Sequence, residues 1–282
     1  LSHAQQVALA VSPKISGFAS LVGSSLIVFV VARDRRKRKE PYHRLMFATS
    51  CVDISTAVWA FMSTWPIPRS SGVLWSSGNT GTCTTQGFFL HLSIASAFYM
   101  LSLSFYYVLT IVYGWKGNRI RKVEPFLHAV PLVFGIGTGI ANLPLTNYNN
   151  AIFWCGYAAD PLGCQGDDCF RGVNADTYRW AFVLGPLWLA FLIQTVNVMV
   201  VLAYVWKVEK ASQSYNFRPR NVPSSEGENY STEPSRPQRR SERSMKRTKQ
   251  VAKQCFLYAV GFCLIWTPLT VRIIFAVEFS PY

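Results

Sequence analysis

The chain has 282 residues, half of them hydrophobic, and its 28 Lys and Arg against 14 Asp and Glu give a formal charge of +14. This combination excludes disorder over the whole chain, because disordered chains are poor in apolar residues. Seven cysteines are too few for a disulfide scaffold of this length. The length suits one or two globular domains or about seven membrane-spanning helices.

Six stretches are long and apolar enough to cross a membrane as helices, which takes roughly 20 residues each. In chain order they are residues 15–32, 45–65, 86–115, 126–143, 178–206 and 250–277. The first follows Pro13, a residue that favours helix starts. We therefore expect an all-α fold, in which residues 1–282 form a single polytopic transmembrane helix bundle.

Basic residues divide the connecting segments into two kinds. Residues 33–44, 116–122 and 207–253, which follow the first, third and fifth spans, hold 23 of the 28 Lys and Arg, whereas the other connectors hold only Arg69 and Arg171. This positive-inside pattern predicts a multi-pass membrane protein with its N-terminus outside. Anionic lipid headgroups would attract the same basic segments. A nucleic-acid partner is not expected, since the basic runs alternate with the spans.

Residues 212–244 lie in the longest basic segment and are rich in Ser, Pro, Arg and Asn. They contain almost no aliphatic side chains, so they cannot bury enough apolar surface to offset the entropy of ordering. We predict a disordered cytoplasmic loop over this range.

Four cysteines fall in connectors predicted to face the oxidising exterior, where disulfides form. Cys83 precedes the third span, and Cys155, Cys164 and Cys169 lie between the fourth and fifth spans. A bridge from Cys83 to this connector would hold it across the helix ends. Cys155 is the first choice, because the neighbouring Trp154 can pack at the membrane interface, and Cys164 with Cys169 would then form a local pair. The other partners for Cys83 stay open.

Few polar or helix-breaking residues occur inside the spans. Asp53 in the second span should face a partner or water, because a charge in the bilayer is costly. Pro186 and Pro268 each remove a backbone hydrogen bond and permit a kink in the fifth and sixth spans, the latter beside Trp266. Each of these residues is equally compatible with static packing.

The sequence contains no phosphate-binding loop, zinc-protease motif or nucleophile elbow. His91 and His128 lack spaced partners for a metal or haem and are interpreted as structural. We expect neither an enzyme nor a cofactor or metal.

Several short motifs, taken in their order along the spans, resemble G-protein-coupled receptors, and in particular the cyclic-AMP-receptor-like group of slime moulds and other protists. The motifs are residues 50–53 (SCVD), 63–68 (STWPIP), 83–88 (CTTQGF), 178–180 (YRW), 185–188 (GPLW) and 262–268 (FCLIWTP). The resemblance implies a seven-helix receptor in the plasma membrane, with a seventh helix beyond Tyr282.

Three kinds of site follow from this resemblance. Cys83 and a loop cysteine match the bridge that such receptors form between helix three and the second extracellular loop. Asp53 matches the helix-two acid of a sodium or water network in rhodopsin-like receptors. The helix-six switch of those receptors matches Phe262, Trp266 and Pro268. Residues 110–115 (TIVYGW) at the end of the third span depart from the family, because they lack an acidic-Arg-aromatic triplet.

The function implied is transmission of an extracellular ligand signal to a heterotrimeric G protein through rearrangement of helices five and six. The basic residues expected to face the G protein are Arg35, Arg36, Arg119, Arg121, Lys246, Arg247 and Lys249. The alternative is a small polytopic transporter or channel, although the first and last three spans show no internal repeat. A structural membrane protein without a ligand is a third reading.

Overall fold

The computed structural model describes residues 2–164, 166–216 and Val260, with side chains described as far as residue 211. Its elements in chain order are α1 (His3–Arg33), α2 (Arg35–Lys39), α3 (Pro41–Met62), α4 (Thr80–His91), α5 (Ser93–Tyr107), α6 (Asn118–Ala141), β1 (Tyr148–Asn150), β2 (Cys155–Tyr157), α7 (Ala175–Arg179) and α8 (Gly185–Asn216). The prediction of a polytopic helical bundle is confirmed. The predicted sixth span lies outside the described residues, apart from Val260.

Five helical stretches among the described residues could cross a membrane: His3–Arg33, Pro41–Met62, Thr80–Val112, Asn118–Ala141 and Ala175–Ala211. The third joins α4, α5 and a π-helical segment, Val108–Val112. The fifth joins α7, a π-helical segment over Trp180–Leu184, and α8. We call the end of these helices with the basic connectors inner and the opposite end outer, following the charge distribution.

Two compact units divide the chain. One contains residues 1–106 and 117–192, and the other contains residues 107–116 and the chain from residue 193 onward. The first unit holds α1 to α7, both strands and the start of α8. In the second unit, the π-helical segment Val108–Val112 is followed by backbone bonds from the N–H of Tyr113 to Val108 O and from the N–H of Trp115 to Leu109 O.

The first helix begins twelve residues before the predicted span. The hydroxyl of Ser2 accepts a hydrogen bond from the backbone N–H of Gln5, whose side chain accepts one from the N–H of Ser2 in return, a capping box that starts α1 at His3. Pro13 therefore lies inside the helix rather than at its start. Pro13 and the charge of Lys14 interrupt the apolar run, so the predicted span starts after them although the helix does not.

Other predicted boundaries also differ from those of the structure. Two helices start earlier than predicted, and one ends earlier because of a backbone conformation. The third span starts at Thr80 rather than 86, and the fourth starts at Asn118 rather than 126, because each helix has a polar first section. The second span ends at Met62, before the predicted 65, where Ser63 adopts φ +50°. Helix α8 continues to Asn216, so residues 212–216 of the predicted disordered loop are helical, and the rest of that range lies outside the described residues.

Small residues allow close contacts between helices, as glycines do in membrane proteins. A side chain at Gly17 of α1 would meet the backbone nitrogen of Phe61 at 2.7 Å, and one at Gly135 of α6 would meet Ala95 Cβ at 2.8 Å. Gly137 has open space beside it. The outward face of α1 exposes apolar side chains, including Phe18 and Leu26, as a lipid-facing helix should.

Candidate functional site

A β-hairpin at the outer end covers the top of the third and fourth spans. Strands β1 and β2 are antiparallel, with Tyr148 opposite Tyr157 and Asn150 opposite Cys155. A disulfide joins Cys155 to Cys83 of α4 across 72 residues, and both cysteines are buried in a small apolar cluster with Ile67. The hairpin is therefore attached covalently to the outer end of the third span.

Gln86 of α4 fixes the hairpin beside that disulfide. Its Oε1 accepts a hydrogen bond from the backbone N–H of Cys155 at 2.9 Å, and its Nε2 donates to the carbonyls of Trp59 and Ser63 at 2.9 and 2.8 Å. The side chain is fully buried, so these three bonds replace the water that it loses. One glutamine thus connects the end of α3, the third span and the hairpin.

A second polar chain joins the hairpin to the fourth span through His91. Thr138 donates its hydroxyl proton to Phe134 O at 2.6 Å, so the 2.8 Å contact between Thr138 Oγ1 and His91 Nε2 requires His91 to donate there. His91 Nδ1 then accepts from the hydroxyl of Tyr157 at 3.1 Å. A neutral His91 with its proton on Nε2 satisfies every hydrogen bond in this series.

Two tyrosines of the hairpin are removed from water by this arrangement. The hydroxyl of Tyr157 accepts from Asn142 Nδ2 at 2.6 Å, and that of Tyr148 donates to Gly139 O at 3.1 Å. Burial raises the pKa of Tyr148 and the pKa of Tyr157 above the ordinary tyrosine value. Both phenols are thus held in their neutral form.

The rest of the outer connector is tied locally. Cys164 and Cys169 form the second disulfide, which closes a short loop. Arg171 Nε donates to Asn149 Oδ1 at 2.8 Å, which joins the chain beyond this loop to β1. All four outer cysteines are therefore paired, with Cys155 on Cys83 and a local pair beside it.

Asp53 in α3 lies between helices, where its partner is a hydroxyl. Ser96 of α5 donates to Asp53 Oδ1 at 2.6 Å. The predicted match to a sodium or water network stays a prediction. Among the described residues, no group of His, Cys, Asp and Glu is arranged to hold a metal ion.

The inner end contains an ion pair that was not foreseen. Arg44 of α3 forms a bidentate pair with Glu124 of α6 through Nε and Nη2. Glu124 is buried, and His128 Nε2 lies 3.9 Å from its Oε1. Arg44 Nη1 also donates to the carbonyl of Arg38 at 3.1 Å, so the pair connects α2, the second span and the fourth. Arg44 lies in the basic segment after the first span, and nothing in its local sequence marks a partner in the fourth span.

The predicted basic residues within the described chain are exposed at the inner end. Arg35 and Arg36 belong to the short helix α2, whose N-cap is Asp34, and Arg119 and Arg121 lie in the first turn of α6. The N–H of Arg36 donates to Asp34 Oδ1 at 2.8 Å, and this bond lowers the pKa of Asp34. The predicted residues Lys246, Arg247, Lys249, Phe262, Trp266 and Pro268 lie outside the described residues.

Pro186 lies just after a π-helical turn. Proline has no N–H to continue the α-helical ladder, and the segment Trp180–Leu184 directly before it uses the wider pattern, in which the N–H of Gly185 donates to Trp180 O. The fifth span therefore accommodates its proline with a local change of hydrogen bonding.

A cavity opens at the outer end between α1 and the connector after α3. Its volume is about 780 Å³, and Val11, Lys14, Trp65, Trp75, Ser76 and Ser77 line it. Lys14 Nζ lies 3.6 Å from the centroid of the Trp65 ring and donates to the carbonyls of Phe61 and Met62 at 3.3 and 3.2 Å. The sequence offers no sign of this cavity, because Lys14 lies 51 residues from Trp65 and 61 residues from Trp75.

Comparison with known protein families gives one match. The family model described as "7 transmembrane receptor (rhodopsin family)" matches residues 23–280, which is most of the chain. No curated protein matches the chain. The match supports the predicted receptor superfamily and does not favour a transporter or channel, whereas it does not confirm the narrower likeness to the cyclic-AMP-receptor-like group.

Proposed function

The chain belongs to the rhodopsin family of seven-transmembrane receptors, and from this premise we propose that it relays an extracellular ligand signal to a heterotrimeric G protein. It is a multi-pass membrane protein, and the plasma membrane is the location expected for such a receptor. The family match over residues 23–280 is the observation that carries the proposal. Receptors of this kind are generally not enzymes.

The outer end is the side at which we place ligand entry. The hairpin over Tyr148–Tyr157 is held by the Cys83–Cys155 disulfide and by the bonds of Gln86, so its backbone offers a fixed surface next to the helix ends. A fixed surface reduces the ordering entropy that a ligand must overcome on binding. This geometry supports a binding site bordered by the hairpin.

Transmission through the bundle is assigned to the fifth and sixth spans. The π-helical segment before Pro186 is a local departure from α-helical bonding, and such segments occur frequently at functional sites. Phe262, Trp266 and Pro268 would supply the matching element in the sixth span. Ligand binding would favour one of two packings of these spans, which requires different affinities for the two states.

The inner end offers a basic surface to the G protein. Exposed Arg35, Arg36, Arg119 and Arg121 support this role, and Lys246, Arg247 and Lys249 are proposed to extend it. The same residues would attract anionic lipid headgroups. Because residues 110–115 lack the acidic-Arg-aromatic triplet, coupling would not depend on an ion pair at that position.

Nucleotide exchange on co-expressed G-protein α subunits tests the proposal directly. Membranes that contain the receptor should load labelled GTP analogue faster than receptor-free membranes with at least one α subunit of a panel. The Trp266→Ala variant should lose this excess, whereas Phe18→Ala on the lipid-facing side of α1 should keep it. If no α subunit loads the analogue faster with the receptor than without it, the coupling role is refuted. If Trp266→Ala keeps full activity, the proposed switch role of Trp266 is refuted.

The narrower resemblance to cyclic-AMP-receptor-like proteins stays a prediction with its own test. A cyclic nucleotide needs cationic partners, and two outer arginines are already engaged, Arg171 with Asn149 and Arg179 with Asp176. Labelled cyclic AMP should bind receptor-containing membranes saturably if the likeness extends to the ligand. Its failure to bind would remove the ligand class and leave the receptor role in place.

A further inference from the structure

We propose that the outer cavity beside α1 is a binding site for amphiphilic carboxylates, molecules with one carboxylate and a flat or extended apolar body. The site lies between α1 and the connector that follows the second span, and its lining includes Lys14, Trp65 and Trp75. It is separate from the G-protein coupling proposed above, so it can be tested without any signalling assay.

The charge of Lys14 has no acidic counterpart in the described part of the chain. None of the ion pairs there includes it, and its bonds go to two backbone carbonyls at the end of α3. Two of its three N–H groups are thereby used, so the third remains for a ligand oxygen. The two carbonyls and the Trp65 ring also hold the ammonium in place, which lowers the entropic cost of binding an anion.

The apolar part of the ligand is matched by the tryptophans. Trp65 is 45% exposed and Trp75 is 48% exposed, so both rings offer apolar area to a ligand. Trp75 also has φ +65°, a conformation that is strained for a bulky residue. Such strain persists only where the surrounding structure imposes it, and it clusters at ligand sites.

The loop that imposes this conformation is well bonded. The N–H of Ser77 donates to Trp65 O at 3.2 Å, and the N–H of Gly78 donates to Ile67 O at 2.9 Å. Ser76 lines the cavity, and within the described residues its hydroxyl has no hydrogen-bond partner. In the proposed complex, the hydroxyl of Ser76 would donate to the second oxygen of a carboxylate held by Lys14.

The depth of the site favours an amphiphile over a freely soluble anion. Lys14 precedes Arg33, at the inner end of α1, by 19 residues, which at about 1.5 Å per residue is roughly 28 Å along the helix. This is close to the roughly 30 Å thickness of the hydrocarbon layer. Lys14 therefore lies at the outer interface, where amphiphilic carboxylates concentrate with their charged group toward water.

Direct binding of 2-naphthylacetate to the purified receptor tests the proposal. The receptor is placed in nanodiscs of zwitterionic lipid only, so that no anionic headgroup competes, and binding of the radiolabelled probe is measured to saturation. We expect saturable binding that the neutral analogue 2-(2-naphthyl)ethanol displaces at least about 10-fold less well, since a hydrogen bond to a charged group contributes this much or more.

Variants separate the site from general effects on folding. Lys14→Met should weaken binding of the probe about 10-fold or more, and Lys14→Arg should keep it within about threefold, because the charge and a donor remain. Trp75→Leu should weaken binding about fivefold or more through loss of the ring face. Lys122→Met, an exposed lysine at the inner end, should bind as the wild type does.

Two outcomes of the binding measurements would overturn the assignment, and a third, from the neutral analogue, would refute the role of the charge. One is the absence of saturable binding to the wild type, and the other is equal binding by Lys14→Met and the wild type. The neutral analogue needs no variant, so equal affinity of the wild type for both probes would refute the role of the charge even if Lys14→Met failed to fold.

Discussion

The outer and inner ends of the first unit are held together by different chemistry. At the outer end, the elements are joined by a disulfide and by neutral hydrogen-bonding groups. These are the Cys83–Cys155 bridge, the amide of Gln86 and the series of hydrogen bonds from Asn142 through Tyr157 to His91. At the inner end, the bidentate pair of Arg44 and Glu124 connects the spans, with exposed arginines around it. One end is fixed covalently, and the other is held by charge.

Because the two ends are held by different interactions, they should respond differently to ionic strength. Neutral hydrogen bonds and a disulfide depend little on ionic strength, whereas an ion pair with one partly exposed partner is weakened by salt. The outer end should therefore keep its structure when conditions change, and the inner end should yield first. This asymmetry would suit the proposed function, in which the outer end presents a stable binding surface and the inner end moves.

Breaking the long disulfide should give the largest effect. In the chain-entropy account, closing a 72-residue separation contributes about 4 kcal/mol and closing a 5-residue separation about 2 kcal/mol. Cys155→Ser should therefore lower the thermal unfolding temperature in detergent more than the double variant Cys164→Ser with Cys169→Ser. Equal losses for the two pairs would contradict the covalent anchoring of the outer end by the Cys83–Cys155 bridge.

Removing Arg44 should give the next largest loss of stability. Arg44→Met leaves the carboxylate of Glu124, only 11% exposed, without its main partner, and we expect a loss of about 2–3 kcal/mol, less than for a fully buried pair. Glu124→Gln should cost less, because the 35% exposed guanidinium of Arg44 keeps water and the Arg38 carbonyl. Thermal unfolding at low and high salt measures both.

Arg119→Met is the matched control for the inner ion pair. Arg119 lies on the same helix as Glu124 and is exposed, so its removal should change stability by less than about 0.5 kcal/mol. A loss for Arg44→Met that equals the control would show that the pair contributes nothing. The difference in stability between Arg44→Met and the wild type should also decrease as the salt concentration rises.

Removing the hydroxyl of Tyr157 should show how much the neutral hydrogen bonds at the outer end contribute to stability. Tyr157→Phe takes away the donor to His91 and the acceptor for Asn142, both of them buried or partly buried. We expect a loss of about 1–2 kcal/mol that does not depend on salt. Tyr178→Phe is the control, because the ring of Tyr178 stacks on Phe182 and its hydroxyl has no bond among the described residues.

Raising the pH should give the smallest effect. Stability should change little up to about pH 10 and should fall increasingly above it. Burial raises the pKa of Tyr148 and of Tyr157 above the ordinary 10.0, so the fold favours the neutral phenols. Their contribution is complete below about pH 10 and is lost as pH rises through the raised values, by up to about 1.4 kcal/mol per pH unit for each group. Unfolding temperatures from pH 9 to 11 measure this slope. Tyr157→Phe should reduce it, and an unchanged slope in that variant would contradict the assignment.

The membrane-spanning helices in the described part of the chain followed from the sequence, because each depends on local composition. Apolar runs of about 20 residues located the spans, and the parity of the basic connectors gave their orientation. Cysteines in the connectors predicted to face outward indicated disulfides. These signals need no knowledge of what lies opposite a residue in the fold, which is why single-chain patterns were sufficient for them.

The contacts that hold the ends together could not be found in this way. Arg44 and Glu124 are 80 residues apart, and one was part of a basic run while the other preceded the predicted fourth span. Gln86 belongs to the 83–88 motif, and nothing local shows that its amide would meet three backbone groups. The hairpin was missed because its three-residue strands are too short for a periodic pattern.

The Cys83–Cys155 bridge also sets a condition on how the chain is made. Cys83 enters the oxidising compartment long before Cys155 is synthesised, and Cys164 follows only nine residues after Cys155. By proximity alone, the three later cysteines would pair among themselves first and leave Cys83 behind. The hairpin register and Gln86 counter this by presenting Cys155 to Cys83, so correct oxidation should depend on the fourth span having inserted before its following loop closes.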